Sequence, residues 1–235
     1  TCALPIYAAY TIKRISPNAQ MIVTPSDHLI LNEYEFTNVI ESTLIFSEHR
    51  KALMTIGINP TRPETGYGYI QRSDYESISK VKCFTEKPSL EMAEAFLECG
   101  EFLWNAGIFI WKVSDILEAF AKHLPEHYAL FNSIEAELGT EREAKAIERI
   151  FSECRPISID YGIMERANNV YVHYGDFGWS DLGTWGSVHT QSRKDKFANA
   201  LSNDNINIYN TRNSLITIPK DKARSEERRV GKECE

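Results

Sequence analysis

Asp27 and His28 close a short apolar run, Met21 to Pro25, that has the length of a buried strand. In open α/β sheets ligands bind beyond the carboxyl ends of strands. A carboxylate at such an end suits a hard cation such as Mg2+, which prefers one or two carboxylates plus substrate phosphates to a dedicated protein cage. A second carboxylate of this kind is Asp181, in FGWSDLGTW (Phe177 to Trp185), flanked by tryptophans and followed by Gly183 at an expected strand-to-helix turn. Asp27 and Asp181 are therefore the candidate metal ligands. The plainer alternative is that Asp27 caps a turn and Asp181 caps a helix starting at Leu182.

Three further stretches offer polar chemistry. GYGYI places Gly66 and Gly68 around Tyr67, which lets backbone approach a ligand closely, although the spacing is neither a Walker A loop nor a Rossmann fingerprint. FTEKP sets Glu86 and Lys87 at a strand end, where a carboxylate suits sugar hydroxyls and a lysine suits phosphate; a solvated ion pair is the ordinary reading. LWNAGIFIW carries one amide, Asn105, and the small step Ala106–Gly107 within a buried strand. A buried amide left unpaired costs stability, so Asn105 requires a backbone partner or a ligand. The six histidines form no metal-binding run and are read as surface residues, and Ser26 lacks the GxSxG context of a nucleophile.

The elements that must position these residues follow from hydrophobic spacing. Helical patterns are expected at Tyr7–Ser16, at Glu33–His49 with Phe36, Val39, Ile40, Leu44 and Ile45 inward, and at Leu90–Glu98. Ser114 is expected to cap a further helix, Thr140 and Glu143 to form a capping box for one reaching about Phe151, and Ile157–Ala167 and Leu182–Gln191 to be helical. Strands are expected at Gln20–Thr24, Ala52–Ile58, Ser79–Lys87, Trp104–Trp111 and Val170–Tyr174, with two short alternating strands in the Asn-rich stretch NINIYNTRNSLITIP. The β–α–β alternation predicts a mixed α/β fold with a mostly parallel, Rossmann-like sheet and helices on both faces, followed by the start of a small β unit.

Composition narrows the rest. The chain has 235 residues, 43% apolar and 25% charged, with a formal charge of −7, and no long basic stripe, which argues against nucleic acid as the partner. No run approaches the roughly twenty apolar residues that cross a bilayer, and the expected location is the cytoplasm. The five cysteines lack CxxC pairing, so reduced thiols are expected and a structural zinc is not.

In order, TPSDHLI, ETGYGYI, VKCFTEKP, LWNAGIFIW, SIDYGIMER and FGWSDLGTW resemble the sugar nucleotidyltransferases, and closely the mannose-1-phosphate guanylyltransferases. Asp-His after the first strand favours the guanylyl branch. The resemblance implies the nucleotidyltransferase type of fold and transfer of GMP from GTP to mannose 1-phosphate, with release of pyrophosphate. It implies Mg2+ on Asp27 and Asp181, and Lys87 beside them as a catalytic residue near the sugar phosphate. The implied substrate-binding set is His28, Gly66, Tyr67, Gly68, Glu86, Asn105, Ala106 and Gly107. A homodimer is compatible with it. Alternatives are another sugar-1-phosphate nucleotidyltransferase or a non-catalytic regulatory subunit that binds sugar nucleotides.

The glycine-rich basic loop that opens this family is absent near the start. RSEERRVGKEC (Arg224–Cys234) and TCALPI (Thr1–Ile6) back-translate into sequencing adapters, so residues 1–6 and 224–235 are expected to be adapter translation. The expected organisation is a nucleotidyltransferase domain over 7–200 lacking its nucleotide-binding loop, and a truncated β unit over 201–223. The fragment itself is expected to be weak or inactive.

Overall fold

The computed structural model describes residues 2–219, so the expectation for 224–235 lies outside the described residues. The chain forms two compact units, one ending at Trp179 and one beginning at Ser180. In the first unit the strands are β1 (Gln20–Val23), β2 (Leu29–Ile30), β3 (Leu53–Ile58), β4 (Tyr69–Arg72), β5 (Ile78–Thr85), β6 (Phe102–Lys112) and β7 (Val170–Gly175). Its helices are α1 (Ala3–Ile15), α2 (Glu33–Glu48), α3 (Leu90–Cys99), α4 (Val113–His123), α5 (Pro125–Ser133) and α6 (Glu143–Glu153), with a π-helical turn at Asp160–Met164.

Six of these strands form one sheet in the order β1-β6-β3-β7-β5-β4, and β4 also pairs with β6. The mixed α/β class is the one expected. Within the sheet β3 and β7 are the neighbours that pair in parallel, the other neighbouring pairs being antiparallel. β1 and β3 do run the same way, as their β–α–β connection requires, but β6 enters between them antiparallel to both. That insertion is a tertiary pairing that neither strand's own sequence records.

β6 organises the core. Its period-2 alternation sends Leu103, Phe109 and Trp111 into one apolar cluster with residues of α1, α4, α5 and α6. Phe102, Trp104, Ala106, Ile108 and Ile110 enter another with residues of α2 and α3. Between Thr55 and Gly57 of β3 the register against β6 shifts, Thr55 facing Phe109 and Gly57 facing Asn105. A bulge of this kind re-aims side chains. Here it falls at Asn105–Gly107, and Gly107 has φ +69°, a conformation that favours glycine.

Other local expectations shift for identifiable reasons. α1 begins at Ala3, and Cys2, Ala3 and Ile6 are buried in the first cluster. Ile45 is 66% exposed, because it lies about 140° around the helix from Ile40, off the buried stripe. α4 starts directly out of β6 at Val113, whose N–H donates to Ala19 O at 3.0 Å, so Ser114 sits inside the first turn and caps nothing. The Thr140–Glu143 box does not form: Glu143 instead accepts from Tyr7 Oη at 2.6 Å and from Gly139 N at 2.7 Å. Ile157–Ala167 is not a regular helix. Its Glu165 N–H donates to Asp160 O at 2.9 Å, five residues back, in a widened turn packed closely around Gly162, where a Cβ would lie 2.7 Å from Leu124 Cδ1.

Two of the histidines read as surface residues are buried. His173 Nδ1 lies 2.7 Å from Thr43 Oγ1, and His127 Nε2 lies 2.9 Å from Arg155 O. Both partners are distant in sequence, so neither burial has a local signature.

In the second unit, α7 spans Trp185–Gln191 rather than starting at Leu182. Thr184 caps it, Oγ1 accepting from Ser187 N at 3.0 Å. The alternating strands expected in the Asn-rich stretch reduce to Leu215–Ile216, which pairs in parallel with Ala200–Leu201; residues 205–209 form no strand.

Candidate functional site

The β6 bulge gathers a group of polar side chains in the first unit. Asn105 Oδ1 accepts from Gly107 N at 3.1 Å and from Thr55 Oγ1 at 2.9 Å. Its Nδ2 donates to Asp160 Oδ1 at 2.9 Å, from the π-helical turn 55 residues away. The half-buried amide thus has a backbone partner, and a carboxylate as well. Asn105 N donates to Gly68 O at 2.8 Å, so the GYG turn is stitched to the same point of β6.

Gly68 faces Glu86 and Asn105. A Cβ built on it would lie 2.5 Å from Glu86 Oε2 and 3.3 Å from Asn105 Cβ, so only glycine lets the backbone approach both this closely. Glu86 follows β5 and its side chain is 10% exposed. Its carboxyl is raised to about 7, first by burial and then by the nearby Asp160 charge; Lys87 pulls the other way, and Glu165 adds to the rise. Asp160 is also raised, mainly by burial, against the lowering effect of its hydrogen bonds, including those with Asn105 and Ser158. A carboxyl raised by burial and by a neighbouring carboxylate, beside a fixed amide, is a site suited to hydrogen-bonding hydroxyl groups.

Lys87 carries the lysine charge to this point. Its Nζ lies 3.5 Å from Glu86 Oε1, and its N–H donates to Tyr67 O at 3.2 Å. Its φ is +48°, the left-handed region that a lysine rarely occupies, so the surrounding bonds hold an unfavourable backbone in place. Glu86 N, immediately before it, donates to Glu165 Oε1 at 3.2 Å.

Aromatic rings wall the neighbouring surface. Tyr67 meets Trp104 edge-on at 5.1 Å between centroids and Trp179 at 5.3 Å. Trp179 Nε1 donates to His28 Nδ1 at 3.1 Å, which fixes that nitrogen as an acceptor. A Cβ on Gly107 would lie 3.9 Å from His28 Cε1, so this wall reaches the β6 bulge.

Of the sequence-predicted residues, His28, Tyr67, Gly68, Glu86, Lys87, Asn105 and Gly107 thus fall into one connected region of the first unit. Gly66 lies on the loop before it, its N–H donating to Glu64 Oε1 at 3.1 Å. The Ala106 methyl points into the apolar core, away from Asn105, leaving only its backbone to face a ligand. Asp27 is exposed, four residues beyond β1. Asp181 belongs to the second unit, where its Oδ1 accepts from Gly183 N at 3.0 Å in a tight turn, and it is not the cap of α7. Among the described residues no group of three or more His, Cys, Asp or Glu side chains is poised to hold a metal. Asp160 and Thr55 are absent from the sequence-based set. SIDYGIMER was the one signal for Asp160, without any local feature that gives it a role.

Fold and site together are those of a mixed α/β protein with a carboxylate-rich polar site beside the bulge of its longest strand. The chain belongs to the nucleotidyl transferase family, whose model matches residues 3–197. A mannose-1-phosphate guanylyltransferase of Sinorhizobium fredii (strain NBRC 101917 / NGR234) is 37% identical over 219 residues, covering 91% of this chain and 42% of that protein. Another, from Escherichia coli, is 35% identical over 218 residues, covering 89% and 47%. The chain therefore spans less than half the length of these curated relatives. A crystal structure described as mannose-1-phosphate geranyltransferase from Thermus thermophilus matches with a TM-score of 0.79 at 25% identity, covering 94% of this chain and 69% of that one. One described as mannose-6-phosphate isomerase from Helicobacter pylori shares the fold, with a TM-score of 0.65 at 24% identity over 75% of this chain and 69% of that one. Among the described residues no helix is long and apolar enough to cross a membrane.

Proposed function

We propose that the protein carrying this chain transfers GMP from GTP to mannose 1-phosphate, giving GDP-mannose and pyrophosphate. The observation that carries this reading is the point where the bare Gly68 backbone, the Glu86 carboxyl and Asn105 converge, a Cβ on Gly68 lying 2.5 Å from Glu86 Oε2 and 3.3 Å from Asn105 Cβ, beside the Lys87 ammonium. It is a place for a hydroxyl-bearing ring next to a positive charge suited to phosphate. The names of the guanylyltransferase relatives support mannose and guanine as the sugar and the base.

In this reading the sugar-phosphate oxygen attacks the α-phosphorus of GTP, the bond from that phosphorus to the bridging β-oxygen breaks, and pyrophosphate leaves. Such a transfer needs positioning and charge neutralisation more than covalent catalysis. Glu86 accepts a hydrogen bond from a sugar hydroxyl, and Asn105 donates its second Nδ2 hydrogen. Gly68 brings backbone against the ring. Lys87 steadies the sugar phosphate, and the Tyr67–Trp179 wall excludes water from the reacting groups. Asp27, an exposed carboxylate after a strand end, and Asp181, each offer the hard oxygen donors that Mg2+ takes together with phosphates, so both are proposed as ligands. The ion, when bound, neutralises phosphate charge.

The test is pyrophosphate release by the complete gene product in Mg2+, with GTP plus mannose 1-phosphate against UTP plus glucose 1-phosphate. Turnover of the first pair and not the second is expected. The reverse preference, or silence with both, overturns the proposal.

A further inference from the structure

Asn105 has two faces to its amide, and the surrounding groups decide which one a ligand meets. The Gly107 N–H can only donate, so it demands an acceptor, and it receives Oδ1 at 3.1 Å. Thr55 Oγ1 offers a second donor to the same oxygen at 2.9 Å. With Oδ1 committed, Nδ2 must find acceptors, and Asp160 Oδ1 supplies one at 2.9 Å. The second Nδ2 hydrogen has no partner among the described residues.

Without Asp160 the amide keeps its Gly107 bond but loses the anchor that sets its plane. The bonds around the bulge of β6 give Nδ2 no other acceptor: Thr55 Oγ1 lies against the amide oxygen, donating toward Asn105 Oδ1 at 2.9 Å and Ile108 O at 3.2 Å. Asp160 itself comes from the π-helical turn, an element with no other polar tie to Asn105.

We propose that Asp160 is a positioning residue for the sugar ring: it orients Asn105 so that the remaining Nδ2 hydrogen and the Glu86 carboxylate meet ligand hydroxyls beside the Gly68 backbone. The inference rests on the sugar-phosphate reading given above. It assigns Asp160 no contact with the reacting phosphates, so its effect falls on the sugar side alone.

A second consequence separates this role from a merely structural one. Glu86 is faced by Asp160, Lys87 and Glu165, of which Asp160 and Glu165 push its carboxyl up and Lys87 pulls it down. Replacing Asp160 by a neutral side chain removes the larger of the two upward charges. If the ionised Glu86 holds a hydroxyl, the acid limb of kcat/KM for the sugar phosphate, near pH 7 in the wild type, moves to lower pH in Asp160→Asn.

The experiment uses the complete gene product, wild type, Asp160→Asn, Asp160→Ala, Asn105→Ala and the double variant Asn105→Ala/Asp160→Ala. It measures initial rates against each substrate, calorimetric binding of mannose 1-phosphate, and melting temperature. Asp160→Ala is expected to raise KM or Kd for mannose 1-phosphate about 10- to 100-fold, the scale of one hydrogen bond to a charged or oriented group, with KM for GTP unchanged. The double variant is expected to be no worse than Asn105→Ala, since the two residues act through one contact. Asp160→Asn retains an amide oxygen that can accept, so it is expected to recover most of the sugar affinity while still shifting the acid limb. Equal losses for GTP and sugar, or additive losses in the double variant, overturn the positioning role. A wild type that turns over the substrates while its Asp160 variants keep their sugar affinity overturns this inference and spares the guanylyltransferase reading. A wild type that neither turns over nor binds mannose 1-phosphate overturns both.

Discussion

The polar group at the β6 bulge and the carboxylate after β1 are built on opposite principles. Asn105, Asp160, Glu86 and Gly68 are buried or half-buried; Asn105 is bonded to Asp160 and Gly68 at 2.9 and 2.8 Å, and the Glu86 backbone is tied to Glu165 at 3.2 Å. Asp27 is exposed on a short connection between β1 and β2. The first arrangement spends folding free energy to fix a geometry before any ligand arrives; the second leaves a strongly hydrated charge in water. A ring of hydroxyls needs fixed donors and acceptors, because misplaced polar groups lose affinity. A cation and phosphates bring their own charge and tolerate a carboxylate that adjusts.

The contrast is broken most directly at Gly68. Gly68→Val puts branched carbons where Glu86 Oε2 would already lie 2.5 Å from a Cβ, next to Asn105 Cβ at 3.3 Å. Activity with the sugar phosphate is expected to fall by more than about 100-fold and stability by about 1–3 kcal/mol, since the buried Glu86 must move. Nucleotide binding measured alone should change far less. If both substrates lose affinity together, the site is not divided as argued.

Asp27→Asn makes the opposite case. An exposed carboxylate outside the core is expected to leave the melting temperature within about 2 °C of wild type, by analogy with surface substitutions of under about 0.5 kcal/mol. Activity should nevertheless fall by about 100-fold, with partial recovery at high Mg2+. Kinetics over a Mg2+ titration with parallel thermal melts reads both. Unchanged activity would remove Asp27 from the metal set.

Glu86 lies between these extremes, because its charge is costly to the fold. Its carboxyl is raised to about 7 in the folded protein from an ordinary value of 4.5. Between those values the folded state holds a proton that the unfolded state has lost, so stability falls as pH rises from 4.5 and levels off above 7. Glu86→Gln removes this cost. The variant is expected to match wild type at pH 4 and to be more stable by about 2 kcal/mol at pH 8, while its affinity for mannose 1-phosphate drops. Thermal melts across that range decide it: equal stability at pH 8 would place the carboxyl in an ordinary, hydrated setting.

These residues also mark how far the sequence reaches. Strands β3 and β6 are legible as runs, because burial on both faces leaves a nearly continuous apolar signal. Glu86, Lys87, Gly68 and Asn105 stand out as polar or small residues in or beside such runs. Asp160 does not: its partner Asn105 is 55 residues away, and no local spacing announces a bond closed by tertiary packing. The same is true of the antiparallel entry of β6 between β1 and β3, and of His173, whose partner Thr43 lies 130 residues off. Capping at Ser114 failed for a related reason, since the helix start is fixed by the bond from Val113 N to Ala19 O rather than by the serine.

The smallest expected effect tests whether the proposed sugar-side group depends on the helix that follows it. Ser89 caps α3, its Oγ accepting from Met92 N at 3.3 Å, and it stands only three residues after Glu86. Ser89→Ala is expected to cost about 1 kcal/mol of stability, the usual value of an N-cap. Affinity for mannose 1-phosphate should not change. Lys87 N is tied to Tyr67 O and Glu86 N to Glu165, so the backbone carrying both side chains is held from the sheet and the π-helical turn before the helix begins. Pro88 adds a fixed φ between the two segments, which isolates the strand end from fraying of the first helical turn. A melting curve and a mannose 1-phosphate titration of the same variant suffice. A KM that rises with the lost cap would mean that α3, and not the bulge of β6, sets the geometry of Glu86, and the division between a braced sugar side and an adjustable cation side would have to be redrawn around the helix.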